Sequence, residues 1–346
     1  MTKIFCDGIF DLFHEGHVEH FKKIKNMFDE VYLMVGVLSD KQATEYKRKP
    51  IYNEIQRISL IKSCKYVDEV TTNYPLEMTE DFMNINNIDF IAHAFSDKND
   101  ELKQKKWFEV PIKLNKMLII DYCKGISTTN IINNINDNST TEIINDINND
   151  WQKIWTKKGL IDSNDFMLLN GYENTGFSPE KSSEYIIKIL DIKPTDKVLE
   201  IGCGAGNITR YLKDKCDYYG IDYSRSLVNK NIKLTHSKIC FSEANNIFFK
   251  NNYFDKIFCI SVFEYFKDKN YTKEVLSEID RVSKKESKIA ILDVINKTHT
   301  KRLKKHIYKG NFTHLVHDKN DFPNYKQIET IWDADNRSSF FKENNK

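Results

Sequence analysis

Short apolar runs of strand length alternate with helical periodicity in two series along the chain, and between the two the apolar signal stops. In the first series, residues 3–6, 31–37, 90–93 and 117–120 read as strands, and helices are predicted from Gly16, over 53–63 and over 128–135. In the second, residues 197–201, 218–221, 256–260 and 287–294 read as strands, with helices over 179–190, 207–214 and 272–282. Near-continuous apolar strands separated by amphipathic helices are the pattern of parallel sheets covered by helices, which makes the expected architecture α/β twice over. Segments 327–332 and 338–341 are predicted to close the second sheet as an antiparallel pair. Residues 136–150 are polar and turn-forming, so the expected organisation is a first domain at 1–136, a linker at 137–150 and a second domain at 151–346.

Composition agrees with two folded domains. The 346 residues are about two ordinary domains' worth, and 40% hydrophobic content supplies a core for each. Charges nearly cancel, 52 Lys+Arg against 50 Asp+Glu, which gives no global reason to expect a nucleic-acid partner or a membrane surface. The basic run at 301–306 lacks interleaved aromatics and reads as a solvated helix face, while His314 and His317 have no evident partner. Met1 leads straight into a strand-like segment, and no apolar run approaches the roughly 20 residues that span a bilayer, so the expectation is a cytoplasmic protein without membrane insertion. Seven scattered cysteines form no CxxC pair and read as reduced thiols, with no metal site expected.

The first strand runs into Asp7-Gly8-Ile9-Phe10-Asp11-Leu12-Phe13-His14-Glu15-Gly16-His17 and then a helix. Two imidazoles three residues apart at a helix start can face one anion. The helix N-terminus adds backbone N–H groups and a positive dipole end, and Gly16 removes a side chain that would block approach. Preorganised donors of this kind are worth about 3 kcal/mol each to developing charge. The alternatives are that these histidines merely cap the helix or that His14, His17 and His20 bind metal, although the spacing is not the i, i+4 arrangement of a helical zinc site.

Asp7–His17 resembles the HxGH segment of cytidylyltransferases acting on phosphocholine, phosphoethanolamine or glycerol 3-phosphate. Lys47, ten residues before Arg57, the block Lys65-Tyr66-Val67-Asp68-Glu69-Val70, similar to that family's RYVDEV, and Lys124-Gly125-Ile126-Ser127-Thr128-Thr129, similar to its RTEGISTS, follow in order. The resemblance implies CMP transfer from CTP, with Mg2+, to a small phospho-alcohol. His14, His17 and Lys47 would be catalytic, Gly8, Ile9, Phe10, Arg57, Ser127 and Thr128 would bind nucleotide, and a homodimer would form around Lys65–Val70. The chain departs from the family pattern at Tyr122 and Lys124 in the last block, at Ala94 after the third strand, and at Leu76 in place of a cage tryptophan. Without that aromatic face a quaternary ammonium loses about 0.5–2 kcal/mol, which ranks phosphocholine below other phospho-alcohols. Asp7 leaves phosphoethanolamine open.

In the second domain, Glu200-Ile201-Gly202-Cys203-Gly204-Ala205-Gly206 joins a strand to a helix, and Asp222 ends the next strand, placed for ribose hydroxyls. A lone GxGxG also occurs in NAD-binding proteins and ordinary turns. The set resembles class I methyltransferases, which use S-adenosylmethionine. The resemblance implies cofactor contacts from Glu200, Gly202, Gly204, Gly206, Asp222, Glu243, Ala244 and Ile260. Glu264 and Tyr265 fall where acceptor-side groups often lie, and Trp151, Trp155 and Tyr172 read either as a lid or as packing aromatics. Together the likenesses imply two Rossmann-like three-layer α/β domains, an HxGH nucleotidyltransferase fold and then a class I methyltransferase fold. The expected function is a bifunctional enzyme that makes a CDP-alcohol and methylates a related small metabolite. The alternative is a methyltransferase whose first domain serves for binding or dimerisation.

Overall fold

Strand β1 (Thr2–Gly8) carries Ile4, Phe5 and Cys6, none of which has any exposed surface, and this places it in the middle of a sheet. The computed structural model of the chain describes residues 1–72, 74–123, 128–129, 131–132, 150–173, 175–296, 314–332 and 336–344. The chain divides into two units, Met1–Ile132 together with Phe248–Lys250, and Asn133–Ile247 together with Asn251–Lys346.

Among the described residues of the first unit a five-stranded sheet forms in the order β3-β2-β1-β4-β5. Its members are β2 (Val31–Val37), β3 (Glu69–Thr71), β4 (Phe90–His93) and β5 (Met117–Ile119), and every pairing is parallel. Helices α1 (Glu15–Lys25), α2 (Asp40–Tyr46), α3 (Glu54–Ser63), α4 (Glu80–Ile85), α5 (Lys98–Gln104) and α6 (Glu109–Lys113) supply the crossovers. The chain order reverses between β1 and β4, and in such sheets the crevice for a ligand opens at the carboxyl ends of those two strands. His14 and His17 follow β1, and His93 ends β4.

The second unit holds a seven-stranded sheet, again counted among the described residues, in the order β8-β7-β6-β9-β10-β12-β11. Strands β6 (Lys197–Ile201), β7 (Asp217–Asp222), β8 (Ile239–Phe241), β9 (Phe254–Ile260) and β10 (Ser283–Ile295) pair in parallel. Strand β12 (Arg337–Glu343) runs antiparallel to both β10 and β11 (Lys326–Ile328). Around it lie α7 (Asp150–Gly159), α8 (Phe166–Leu169), α9 (Pro179–Leu190), α10 (Thr209–Leu212), α11 (Arg225–Thr235) and α12 (Lys269–Val282). Here the reversal lies between β6 and β9, beside the glycine-rich turn. No helix among the described residues is long and apolar enough to cross a membrane.

Local signals explain several boundaries. Asn53 caps α3 by accepting from the Gln56 N–H while the Gln56 side chain returns the bond, a reciprocal capping box. Helix α9 opens with Ser178 as cap and Pro179 in the first turn, and stops at Asp191 in the left-handed conformation. Helices α2, α4, α5 and α11 and strands β3 and β8 were not expected from the apolar pattern. Helix α2 is announced by its Ser39/Gln42 capping box rather than by apolar spacing, and β3 and β8 are only three residues long. Helix α10 is shorter than the predicted 207–214 because residues 207 and 208 are spent on the glycine turn. The predicted helix over 128–135 and the basic run at 301–306 fall wholly or mainly outside the described residues, as does the linker segment up to 149. His317, for which no partner was evident, is buried and packs on Phe263 and Phe322, and His314 stacks on Trp151.

Gly36, inside β2, has no room for a side chain: a Cβ there would stand 2.5 Å from the Phe5 ring and 2.7 Å from the Tyr74 ring. Gly36→Ala should therefore destabilise the chain by about 1–3 kcal/mol through overpacking, read as a lower urea midpoint. An unchanged midpoint would mean that the two rings move aside freely.

Candidate active sites

The loop from β1 to α1 is held open by two residues in the left-handed region, Phe10 (φ 53°) and Leu12 (φ 50°). Asp11 pins it, accepting backbone N–H bonds from Leu12 at 3.0 Å, Ile51 at 2.9 Å and Tyr52 at 2.9 Å. Helix α1 then starts with His14 as its cap. The Nδ1 of His14 accepts the Gly16 N–H at 3.1 Å, and the Nδ1 of His17 accepts the His14 N–H at 3.4 Å. With Nδ1 accepting, a neutral imidazole carries its proton on Nε2, so both rings present Nε2–H donors. The two rings stack with centroids 3.9 Å apart.

Phe10 and Phe13 clamp His17, with centroids at 5.4 and 5.7 Å. Burial first, then the neighbouring His14 and His20, pushes the His17 pKa well below the usual imidazole value, so the ring stays neutral. His20 is pushed down to about 4 by burial, His93 and Lys23. Thr128 reaches the same place: its Oγ1 donates to the Asp11 carbonyl at 3.2 Å and lies 3.4 Å from His14 Nε2.

His14, His17, Lys47 and Thr128 line one cavity. Gly8, Ile9 and Phe10 form its floor, and Ala94 and Tyr122, where the sequence departs from the family pattern, stand in its wall. Ser127 lies outside the described residues. Leu76 packs against the core cluster and does not line the cavity.

Arg57 corrects an expectation. It was assigned to the reacting phosphates, but it has no exposed surface and is absent from the cavity lining. Its Nε donates to the Tyr52 carbonyl at 3.1 Å, Nη1 to the Ile9 and Leu38 carbonyls at 2.8 Å each, and Nη2 to Asp40 at 2.7 Å. It holds the cavity floor from behind. Sequence reading missed Arg48, Trp107, Asp100 and His93 as lining residues; the first three carry no motif, His93 opens the block at the end of the predicted third strand where the chain departs from the family pattern, and the crossovers bring all four to one place.

In the second unit, Gly202, Gly204, Asp222, Glu243, Ala244 and Ile260 line another cavity. Gly202 (φ +75°) and Gly204 (φ +51°) lie in the left-handed region, and a Cβ on them would strike Val262 and Asn170 respectively. Asp222 fixes the turn, accepting the Gly204 N–H at 2.9 Å and the Ser224 N–H at 2.8 Å. Burial raises its pKa to about 6 against the opposing pull of those amides. Glu243 accepts from the Tyr271 hydroxyl at 2.8 Å.

Two assignments move away from this cavity. Glu200 is buried behind the turn and bound by the Tyr218 hydroxyl, and burial pushes its pKa up to about 8. Gly206 (φ +101°) faces Asn231, where a Cβ would stand 2.7 Å from Oδ1. Both shape the turn and neither lines the cavity. Trp155, Tyr172 and Tyr265 do line it, whereas Trp151 packs edge-on against Tyr265 with centroids 5.0 Å apart. The Tyr172 hydroxyl donates to Ser261 at 2.9 Å, and Ser261 donates to Asp293. Glu264 is buried, paired with Arg337 at 2.7 Å and raised to about 7 by burial. Among the described residues no group of three or more His, Cys, Asp or Glu is placed to hold a metal ion.

Both sheets thus open into cavities at their reversal points, the place where α/β sheets of this kind bind ligands. The family model described as cytidylyltransferase-like matches residues 5–134, and the one described as a methyltransferase domain matches residues 199–291. The chain carries a cytidylyltransferase-like domain followed by a methyltransferase domain. Choline-phosphate cytidylyltransferase A of Rattus norvegicus is 42% identical over 92 residues, 27% of this chain and 25% of that protein. The choline-phosphate cytidylyltransferase of Saccharomyces cerevisiae is 36% identical over 139 residues, 38% of this chain and 31% of that protein. The ethanolamine-phosphate cytidylyltransferase of Dictyostelium discoideum is 32% identical over 130 residues, 38% of this chain and 35% of that protein. The chain therefore spans about a quarter to a third of the length of these relatives. Among solved structures, phosphoethanolamine N-methyltransferase 1 of Haemonchus contortus, in complex with phosphoethanolamine and S-adenosylhomocysteine, has a TM-score of 0.38 and 18% identity, covering 53% of this chain and 38% of that one.

Two outcomes test the geometry. Arg57→Met removes four hydrogen bonds, three to carbonyls and one to Asp40, and should destabilise the chain by about 4 kcal/mol in denaturant unfolding, at about 1 kcal/mol per lost bond. Glu200 yields a pH dependence. Its folded pKa of about 8 lies above the unfolded value of 4.5, so between the two the folded chain holds a proton that the unfolded chain has released. Stability from this group is fully present below the unfolded value and is lost as pH rises through about 8. Asp222 and Glu264 act with the same sign. Glu200→Gln should flatten the fall in melting temperature between about pH 5 and about pH 8.5; an unaltered slope would place the titration elsewhere.

Proposed function

We propose that the chain is a bifunctional transferase, whose first unit transfers CMP from CTP to a small phospho-alcohol and whose second methylates a related small metabolite. The observation that carries the first half is the pair of Nε2–H donors on His14 and His17, fixed by reciprocal backbone capping and facing the cavity that Lys47 and Thr128 share. A phosphomonoester oxygen attacks the α-phosphorus of CTP. The new P–O bond forms as the bond to the bridging oxygen breaks, and pyrophosphate leaves. No side chain needs to become covalently attached, so positioning and charge neutralisation are the whole task. The imidazole donors meet charge building on the phosphoryl oxygens, Lys47 draws the two reactants together, and Thr128 adds a hydroxyl. Mg2+ enters with the nucleotide and supplies further neutralisation.

Asp7 supports an amino-alcohol as the phosphate's other end. Its Oδ1 is buried in the cavity wall and makes no hydrogen bond among the described residues, with His93 Nδ1 3.4 Å away at ion-pair distance but without hydrogen-bond alignment. Tyr46 and Trp107 stand in the same wall. A primary ammonium suits that carboxylate, which favours phosphoethanolamine. The names of the relatives, which act on choline phosphate and ethanolamine phosphate, support the class.

The second cavity fits S-adenosylmethionine: two side-chain-free positions for close backbone approach, Asp222 for ribose hydroxyls, Glu243 for the adenine amino group, and Ala244 and Ile260 as apolar walls. When bound, the cofactor supplies an electrophilic methyl group, and its transfer depends on alignment with the acceptor. Trp155, Tyr172 and Tyr265 exclude water from that side. We also propose assembly as a homodimer.

The test is product analysis by mass spectrometry of the full chain with CTP, Mg2+, S-adenosylmethionine and, in separate arms, phosphoethanolamine, glycerol 3-phosphate and phosphocholine. A CDP-alcohol, pyrophosphate and S-adenosylhomocysteine are expected. His17→Ala should lower pyrophosphate release by about 100–1,000-fold and leave S-adenosylhomocysteine formation unchanged. Absence of pyrophosphate in every arm would remove the first half, and a first unit that binds CTP without turnover, indifferent to His14→Ala, would make it a binding module.

A further inference from the structure

We propose that Arg48 is a second cationic phosphate-binding residue of the first cavity, gripping phosphate oxygens beside Lys47. The proposal rests on the reading of that cavity as a phosphate site and goes beyond it by naming a residue to which the sequence pattern gives no role.

Arg48 lines the cavity with His14, His17, Lys47 and Thr128. Its side chain is half-buried, and Nε is sealed from solvent yet has no hydrogen-bond partner among the described residues. A buried N–H without an acceptor is uncommon in folded proteins and calls for an explanation. An oxyanion entering the cavity supplies that acceptor.

The other charged groups leave this work undone. The guanidinium of Arg57 is turned away, its nitrogens occupied by three carbonyls and Asp40. The carboxylates in the lining do not neutralise Arg48: Asp11 is taken by backbone amides, and Asp100 accepts from Tyr46, Gln104 and Ser96. Asp7 faces His93. The permanently charged cations among the described lining residues are therefore Lys47 and Arg48, against a triphosphate and a phosphomonoester that carry several negative charges between them.

Position and chemistry both suit the role. The backbone N–H groups of Lys47 and Arg48 donate to the Ala43 carbonyl at 3.0 and 3.2 Å, which ties both to the end of α2. Three residues on, the Ile51 and Tyr52 amides are fastened to Asp11. The segment is thus anchored on either side of its two cations, so little ordering remains when an anion arrives. A lysine offers a point charge, whereas the planar fork of an arginine takes two oxygens at once.

Calorimetric titration of the full chain tests this with three probes: CTP with Mg2+, CMP, and phosphoethanolamine. Each is run on the natural chain, Arg48→Gln and Arg48→Lys, alongside pyrophosphate release and unfolding without ligand. Arg48→Gln should weaken binding of CTP, of phosphoethanolamine, or of both by about 10–100-fold, as expected for a lost charge-assisted pair, with a smaller effect on CMP if the grip is on the outer phosphates. Arg48→Lys should restore part of the loss. The unfolding midpoint of ligand-free Arg48→Gln should equal or exceed that of the natural chain, because a buried unpaired donor has been removed. Unchanged affinity for both CTP and phosphoethanolamine in Arg48→Gln overturns the proposal, as does a lowered ligand-free midpoint that accounts for the lost binding. If the natural chain itself neither binds CTP nor releases pyrophosphate, the phosphate-site reading fails first and takes this proposal with it.

Discussion

Backbone N–H groups in the loop where a strand ends and a helix begins have no partner within either element, and in each unit the chain passes through such loops beside its cavity. How those groups are satisfied sets the character of both cavities. In the first unit imidazole nitrogens accept them: His14 takes the Gly16 N–H, and His17 takes the N–H of His14. One pair of bonds caps the helix, holds the rings in stacking contact and leaves the proton of each neutral ring on Nε2. In the second unit a carboxylate does the equivalent work. Asp222 binds the amides of Gly204 and Ser224, which fixes the glycine turn and draws a buried acid to the cavity wall. Neither side chain could be exchanged for an apolar one of similar shape without losing both the local structure and the chemistry.

Some of the positive-φ backbone positions stand at the same places. Phe10 and Leu12 at the end of β1, Ser261 just after β9 and Asp293 within β10 are all non-glycine residues at positive φ. Each costs about 1–3 kcal/mol and persists only where surrounding contacts over-determine it. The contacts are visible. Asp11 is bound three times over between Phe10 and Leu12, Ser261 donates to Asp293, and Arg337 braces Asp293 and Glu264 from the antiparallel strand β12.

What the sequence made legible followed from how local each signal is. Strand β2, strand β4 and helix α9 have the predicted bounds, because burial on both faces or one apolar stripe with a cap is written within a dozen residues. Helix α2 was invisible to an apolar pattern, since Ala43 is its one buried residue. The motif histidines, Gly202, Gly204 and Asp222 line their cavities because spacing along the chain puts them at the ends of strands or just after them. Arg57 and Glu200 misled for the opposite reason. Each sits at a motif position beside a cavity, and which way a side chain points across a sheet or helix is decided by packing partners distant in sequence: Ile9, Leu38 and Asp40 for Arg57, Tyr218 for Glu200.

Those two residues also show how the cavities obtain their electrostatics. A buried guanidinium spent on carbonyls contributes geometry rather than free charge, and a carboxyl raised to about 8 contributes a hydrogen-bonded neutral group near physiological pH. Histidines held neutral by burial are donors that carry no charge of their own. The first cavity thus separates its two tasks. Directional N–H groups come from the helix start, where the capping bonds prevent reorientation, and positive charge comes from Lys47 and Arg48 in the loop after α2, which make no ion pair among the described residues. A site so divided can hold a phosphate without a full ion pair already formed in its absence, because Asp11 is taken by backbone amides, Asp100 by Tyr46, Gln104 and Ser96, and the imidazole donors are held rigid. That rigidity is what the capping bonds, the triply bound Asp11 and the buried Arg57 jointly maintain, and it links the fold of the first unit to the chemistry proposed for it.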